Sequence, residues 1–143
     1  MNRYQIGYTT GAFDLFHVGH LNILQKAKEQ CEHLIVGVST DELIVAYKYH
    51  PPVIPLEERI AILEGIKYVD EVVMQTDRNK FSAWEKYRFD VMFVGDDWKG
   101  SPLFNQVEKQ FTKVGVDIVY FPYTKGVSST ILKQKMKLAE GIK

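Results

Sequence analysis

The chain has 143 residues, 18 basic and 18 acidic side chains with no formal net charge, and one cysteine. That length suits one domain over 1–143 with a core of its own, and the missing basic excess argues against a general nucleic-acid binder, which must displace counterions from phosphates. No apolar run approaches the about 20 residues that cross a bilayer, no signal-peptide core opens the chain, and Cys31 has no partner for a disulfide, so the sequence predicts a cytoplasmic, soluble protein.

In chain order, residues 3–10 are β-prone and run into Gly11. Helical spacing then joins Leu21, Leu24, Ala27 and Lys28, with Cys31 extending the stripe. Residues 33–39, with Leu34, Ile35 and Val36 in succession, read as a strand covered on both faces. Ser39, Thr40 and Asp41 offer an N-cap for a short helix that fades before Pro51 and Pro52. Residues 55–66 open on proline, carry Glu57 and Glu58 in the first turn, and repeat apolar side chains at 60, 62, 63 and 66, the clearest helix in the chain. A short strand at 69–74, a helix at 79–87, a buried strand at 89–94 and a helix at 103–113 follow. A strand at 116–121 and a last helix capped by Ser128 or Ser129 complete the pattern, with no internal repeat.

Strands alternating with helices predict βαβ units: a single Rossmann-like, doubly wound α/β sheet of about five parallel strands with helices on both faces. Open sheets of this kind bind ligands beyond the carboxyl ends of their strands. Three unusual segments fall there: Gly11 to His20, Gly95 to Trp98, and Tyr123 to Thr130.

His17 and His20 are three residues apart, so in a helix they share a face and reach one ligand together. As metal ligands they lack the rest of a His-Glu-x-x-His motif and any cysteine pair. As structural residues they would cap or pack the helix start. Gly19 allows a close approach, the first amides of a helix favour an anion, and imidazoles beside that anion donate to charge developing on phosphate oxygens. No Walker loop accompanies them.

At the far end Gly126 permits a tight turn, Ser128, Ser129 and Thr130 present hydroxyls and amides at a helix start, and Lys125 adds a point charge. Alone this is an ordinary N-cap; opposite the histidines it reads as a second phosphate clamp. Lys125, Lys133, Lys135, Lys137 and Lys143 face only Glu140. They create a positive field suited to a small polyanion or, for the distal ones, a solvated helix face.

These residues carry a family resemblance. Gly11-Ala-Phe-Asp-Leu-Phe-His-Val-Gly-His20 resembles the Gly-x-Phe-Asp-x-x-His-x-Gly-His signature of the cytidylyltransferases within the nucleotidyltransferase superfamily. Tyr68-Val-Asp-Glu-Val72, Val94-Gly-Asp-Asp-Trp98 and Gly126-Val-Ser-Ser-Thr130 extend it over nearly the whole chain, and together they resemble the glycerol-3-phosphate branch of that family. The resemblance implies a Mg²⁺-dependent, homodimeric enzyme that joins CTP to a small phosphorylated alcohol such as glycerol 3-phosphate and releases pyrophosphate. Magnesium would ride on the triphosphate, with no metal ligand from the protein. The acceptor phosphate would attack the α-phosphorus in line, with the protein positioning the reactants and stabilising charge.

By the same resemblance His17 and His20 hold triphosphate oxygens in the transition state. Thr10, Gly11, Ala12 and Phe13 line the nucleotide pocket, with Gly19 close to the phosphates and Asp14 orienting the loop. Thr124, Lys125, Gly126, Ser128, Ser129 and Thr130, preceded by Tyr123, hold the β- and γ-phosphates. Asp97 and Trp98 lie near the nucleoside, and Arg59 borders the base pocket; the plainer reading of Arg59 is an ion pair within its own helix with Glu57 or Glu58. Lys48 and Lys67 are the implied catalytic lysines, Lys48 reaching the α-phosphate.

The chain also departs from the family pattern. Ala12 replaces the usual threonine, Tyr123 an arginine, Lys125 a glutamate and Lys67 an arginine, and a lysine-rich loop is reduced to Lys48 between Tyr47 and Tyr49. These changes touch the acceptor more than nucleotidyl transfer. Phosphoethanolamine, phosphocholine or another sugar-alcohol phosphate as acceptor, ATP as donor, and a non-catalytic nucleotide-binding regulatory domain are the other readings. A tRNA-ligase fragment is disfavoured by length and by charge.

Overall fold

The computed structural model describes residues 3–122 and 124–141. Five strands, β1 (Tyr4–Gly11), β2 (Cys31–Ser39), β3 (Glu71–Gln75), β4 (Val91–Gly95) and β5 (Asp117–Phe121), form one sheet in the order β3-β2-β1-β4-β5. Every adjacent pair is parallel. Between and after them run α1 (Val18–Glu29), α2 (Asp41–Lys48), α3 (Leu56–Glu64), α4 (Lys80–Tyr87), α5 (Pro102–Thr112) and α6 (Ser129–Gly141). The doubly wound α/β sheet expected from the sequence is the architecture found.

Side-chain alternation explains the two cores. On β2, Leu34, Val36 and Val38 face one side with Leu24 and Ala27 of α1 and Leu63 of α3, whereas Ile35 faces the other. That second side holds Ala83 of α4 and Phe104, Val107 and Phe111 of α5. A strand buried on both faces cannot alternate polar with apolar, hence the unbroken apolar run. Helix α5 shows the one-sided pattern: Ser101 accepts the Phe104 N–H, Pro102 opens the first turn, and the three apolar residues recur on one buried stripe.

Helix α1 starts at Val18, earlier than the apolar spacing indicated, because His17 caps it. It ends at Glu29, where the Gln30 N–H closes onto the carbonyls of Ala27 and Lys28. Cys31 therefore opens β2, paired with Tyr4, instead of continuing the helical stripe. Burial pushes its thiol up to about 11, so it is packing, not chemistry.

The strand order reverses at β1. Its ladder with β2 runs out to Gly11 and Val38, but its ladder with β4 consists of Gly7–Val91 and Tyr8–Met92. Beyond these pairs the Thr9 hydroxyl donates to the Phe93 carbonyl at 3.0 Å. The two strands part there, and the crevice between their carboxyl ends is the topological switch point where such sheets take ligands. Among the described residues no helix is long and apolar enough to cross a membrane.

Candidate active site

The turn between β1 and α1 is held under strain. Phe13 and Leu15 have φ of 52° and 50°, the left-handed region that non-glycine residues avoid. Asp14, between them and buried, is what fastens the turn. Its carboxylate accepts the N–H groups of Leu15 at 3.1 Å, Val53 at 2.8 Å and Ile54 at 2.9 Å, and its carbonyl accepts the Ser129 hydroxyl at 2.6 Å. One acidic residue thus ties this turn to the segment after Lys48 and to the start of α6.

The histidines come next along the chain, and they cap the helix reciprocally. Nδ1 of His17 accepts the Gly19 N–H at 3.0 Å, and Nδ1 of His20 accepts the His17 N–H at 3.2 Å. The rings stack with centroids 3.9 Å apart. An accepting Nδ1 keeps its lone pair, so the proton of each neutral ring sits on Nε2. Burial drives His20 down to about 3, the charges of His17 and Lys48 pushing the same way and Asp14 opposing them; burial also lowers His17. The pair is therefore two neutral imidazoles, each with an Nε2–H donor left over from capping. The structural and functional readings of these histidines are not alternatives, because capping through Nδ1 is what sets the donor.

Gly19 also gains a specific reason. A Cβ there would lie 2.8 Å from Cε1 of His17, so it is the capping imidazole that crowds this position, with Cβ of Thr124 3.8 Å away.

A cleft of about 500 Å³ opens above the β1 end, within the size range of small-molecule sites. Its floor is Thr10 to Asp14 and His20. One wall comes from β4 and the residues after it: Phe93, Val94, Gly95, Asp97, Trp98 and Phe104. The opposite wall comes from α2, β3 and the start of α4: Tyr47, Lys48, His50, Gln75, Arg78 and Lys80. Ser129, Thr130 and Lys133 of α6 close it. His17 is not itself among the lining residues; its ring stacks on that of His20.

Several expected residues lie elsewhere. Arg59 does not border the cleft and does not pair with Glu57 or Glu58. It is 1% exposed, and its guanidinium donates to the carbonyls of Ile54 (2.9 Å), Ala12 (2.8 Å) and Ser39 (2.7 Å) and pairs with Asp41. Nε, Nη1 and Nη2 are all engaged in joining the ends of β1 and β2 and the segment before α3 to α2, and the buried side chain does not line the cleft where a base would lie. Lys67 precedes β3, so it sits at the amino edge of the sheet, with its ammonium 5.2 Å from the Tyr68 ring centroid. The cleft is at the carboxyl edge, and the fold does not bring Lys67 to it.

At the second clamp Thr124 accepts the Asn22 side-chain N–H at 2.9 Å, fastening the turn to α1. Gly126 takes φ of 79°, as the tight turn requires. Ser128 is the cap, its hydroxyl accepting the Ile131 N–H at 3.0 Å. Thr124, Lys125, Gly126 and Ser128 shape this end without lining the cleft; Ser129 and Thr130 line it. Tyr123 lies outside the described residues.

Several lining residues are not singled out as site residues by the sequence, among them Gln75, Arg78, Lys80 and Lys133, the last read only as part of a lysine-rich segment. Lys133 follows Ser129 by one helical turn and so shares its face. Gln75, Arg78 and Lys80 stand at or just beyond the carboxyl end of β3, where the strand-end rule applies equally. Among the described residues no group of three or more His, Cys, Asp or Glu is arranged to hold a metal ion.

The chain is 40% identical over 131 residues to the glycerol-3-phosphate cytidylyltransferase of Bacillus spizizenii, covering 90% of this chain and 94% of that one. It is 36% identical over 138 residues to the enzyme of the same name from Bacillus subtilis, with the same coverage. A solved structure, the lipopolysaccharide core biosynthesis protein of Thermoplasma volcanium, superposes with a TM-score of 0.71 at 21% identity, covering 87% of this chain and 99% of that one, and so shares the fold. The family model described as cytidylyltransferase-like matches residues 8–135, from the middle of β1 into α6. The chain belongs to the cytidylyltransferase-like family.

Proposed function

We propose that the protein transfers CMP from CTP to glycerol 3-phosphate, giving CDP-glycerol and pyrophosphate. The observation that carries this reading is the pair of neutral Nε2–H donors held at the N-terminus of α1, beside a cleft wide enough for a nucleotide and a small acceptor. An acceptor-phosphate oxygen attacks the α-phosphorus, and the bond from that phosphorus to the bridging oxygen of the leaving pyrophosphate breaks. No general base is required, because a phosphate monoester is already anionic near neutral pH.

His17 and His20 donate to oxygens on which charge builds, where one such donor contributes about 2.7–4 kcal/mol to the barrier. The main-chain N–H of Ser129, whose hydroxyl is given to Asp14, together with Thr130 and Lys133 receives the terminal phosphates at the start of α6. Lys48, whose charge acts on His20, reaches toward the α-phosphate. The apolar wall with Trp98 and Asp97 takes the nucleoside.

Magnesium fits as an ion carried by the triphosphate. Of the two carboxylates lining the cleft, Asp14 is committed to main-chain amides, and Asp97 alone remains free to meet a hydrated cation. When bound, the ion neutralises charge on the β- and γ-phosphates.

The acceptor reading is supported by the glycerol-3-phosphate cytidylyltransferases that the chain resembles and by the cleft's charge. Lys48, Arg78, Lys80 and Lys133 face one available carboxylate, a poor setting for the ammonium of phosphoethanolamine or phosphocholine. A free, buried Cys31 suits a reducing cytoplasm, and the homodimer implied by the family resemblance would register as a doubled mass in sedimentation. The decisive assay supplies CTP, magnesium and a panel of phosphorylated alcohols and follows pyrophosphate release and CDP-alcohol formation, with ATP, GTP and UTP in parallel. Glycerol 3-phosphate with CTP is the expected pair; no product from any pair overturns the reading.

A further inference from the structure

We propose that Lys80, with Arg78 beside it, receives the phosphate of the acceptor, making the β3 side of the cleft the acceptor subsite. This rests on the function proposed above and assigns a residue-level site within it.

Lys80 is the first residue of α4, where a cation opposes the helix dipole and no acidic side chain stands in the first turn to offset it. The position is thus a poor one for helix stability. Among the described residues Lys80 makes no ion pair and no hydrogen bond. Nor is its nitrogen sealed away, since no buried side-chain nitrogen or oxygen lacks a partner. Lys80 thus lines the cleft as a cation with no direct anionic contact among the described residues, Asp77 acting on it without an ion pair. Burial and the neighbouring Arg78 draw it down to about 8, Asp77 opposing, which marks a cation short of anionic partners.

Arg78 is placed by a different contact. Its guanidinium lies 4.6 Å from the ring centroid of Tyr47, whose other cationic neighbour is Lys48 at 5.8 Å. The ring thereby gathers cations from α2 and from the β3–α4 turn on one wall. Gln75, at the end of β3, accepts the hydroxyls of Tyr8 and Thr10 through Oε1, which leaves its amide nitrogen as a further donor. Across the floor from this wall lie the apolar residues of β4 and, closing the cleft, the α6 start. A CTP molecule with its base on the β4 wall and its terminal phosphates at α6 leaves this cationic wall to the second anion. From there an acceptor phosphate approaches the α-phosphorus from the side opposite the leaving group.

The test is calorimetry of glycerol 3-phosphate binding to protein saturated with α,β-methylene-CTP, together with steady-state kinetics, on wild type, Lys80→Gln and Lys80→Arg. Loss of one charge-assisted contact should weaken glycerol 3-phosphate and raise its KM roughly ten-fold or more in Lys80→Gln. The affinity for the CTP analogue should stay within about two-fold, and Lys80→Arg should recover part of the loss. An active wild type whose Lys80→Gln variant keeps the acceptor affinity, or loses CTP affinity in equal measure, overturns this inference alone. A wild type that makes no CDP-alcohol overturns the proposed function and the subsite with it. Circular dichroism on both variants separates a binding defect from a folding one.

Discussion

His17 donates its main-chain N–H to Nδ1 of His20 while its own Nδ1 receives the N–H of Gly19, so the two rings orient each other and share one tautomer. Capping and catalysis then use opposite nitrogens of the same ring, and they can be separated by mutation. His17→Asn keeps a side-chain oxygen for the cap, while its shorter amide N–H cannot reach where Nε2–H donates. Its kcat should fall about 100- to 1000-fold with little change in the urea midpoint. His17→Ala should lose the same activity and, in addition, about 1 kcal/mol of stability. A His17→Asn enzyme with wild-type kcat would remove the donor from the mechanism.

Acid should destabilise the fold through His20. Its folded pKa, about 3, lies below the ordinary value of 6.5, so the unfolded chain binds a proton first. Stability is therefore fully present above about pH 6.5 and declines progressively as pH falls toward 3, with the lowered His17 adding in the same direction. Urea midpoints measured between pH 7 and pH 4.5 should fall steeply in the wild type and less steeply in His20→Gln. Equal slopes in the two proteins would show that another group controls the acid limb.

Arg59 should behave as a stability residue. Removing it leaves three carbonyls without their buried donor and the partly exposed Asp41 carboxylate without its partner, so Arg59→Met should cost about 3 kcal/mol or more in urea denaturation. Arg59→Lys should recover only part, because an ammonium cannot span donors arranged as a fork. A variant with normal stability and a raised KM for CTP would return Arg59 to the nucleotide pocket.

Arg59 also shows where sequence reasoning reached and where it stopped. The alternation of elements was legible because each strand and helix writes its burial into a short apolar pattern, as Leu34 to Val36 and Phe104, Val107 and Phe111 illustrate. The turn from Gly11 to His20 was legible because a strand end, glycines and paired histidines lie within ten residues. The motif places Arg59 beside the base pocket and its sequence neighbours Glu57 and Glu58 suggest an ion pair, whereas its partners are main-chain oxygens and Asp41 that only tertiary structure assembles. One signal was available: Arg59 lies one turn before Leu63, and both are buried on the same face of α3. Lys67 failed for the converse reason, since a motif match gives residue type but not which edge of the sheet the residue occupies. Lys80 carried no motif, and only the geometry of the β3 end singles it out.

Asp14 is the last residue whose role can be isolated, because the atoms it holds are known individually. Its carboxylate accepts the Val53 and Ile54 N–H groups, fixing the chain that returns from Lys48 and His50 along the cleft wall. Asp14→Asn keeps one oxygen but turns an NH₂ toward the other amide, so one of the two contacts becomes a donor facing a donor. Hydrogen exchange at Val53 and Ile54 should speed up, whereas amides in the core of β2 should exchange as before. If the fastening serves to position Lys48, kcat should fall while the KM for CTP changes little, since the apolar wall and the α6 start are untouched. A Lys48→Ala change added to Asp14→Asn should then cost less than it does alone, because the two losses share one cause. Additive losses in the double variant would mean that Asp14 acts on the strained turn at Phe13 and Leu15 and not on the lysine.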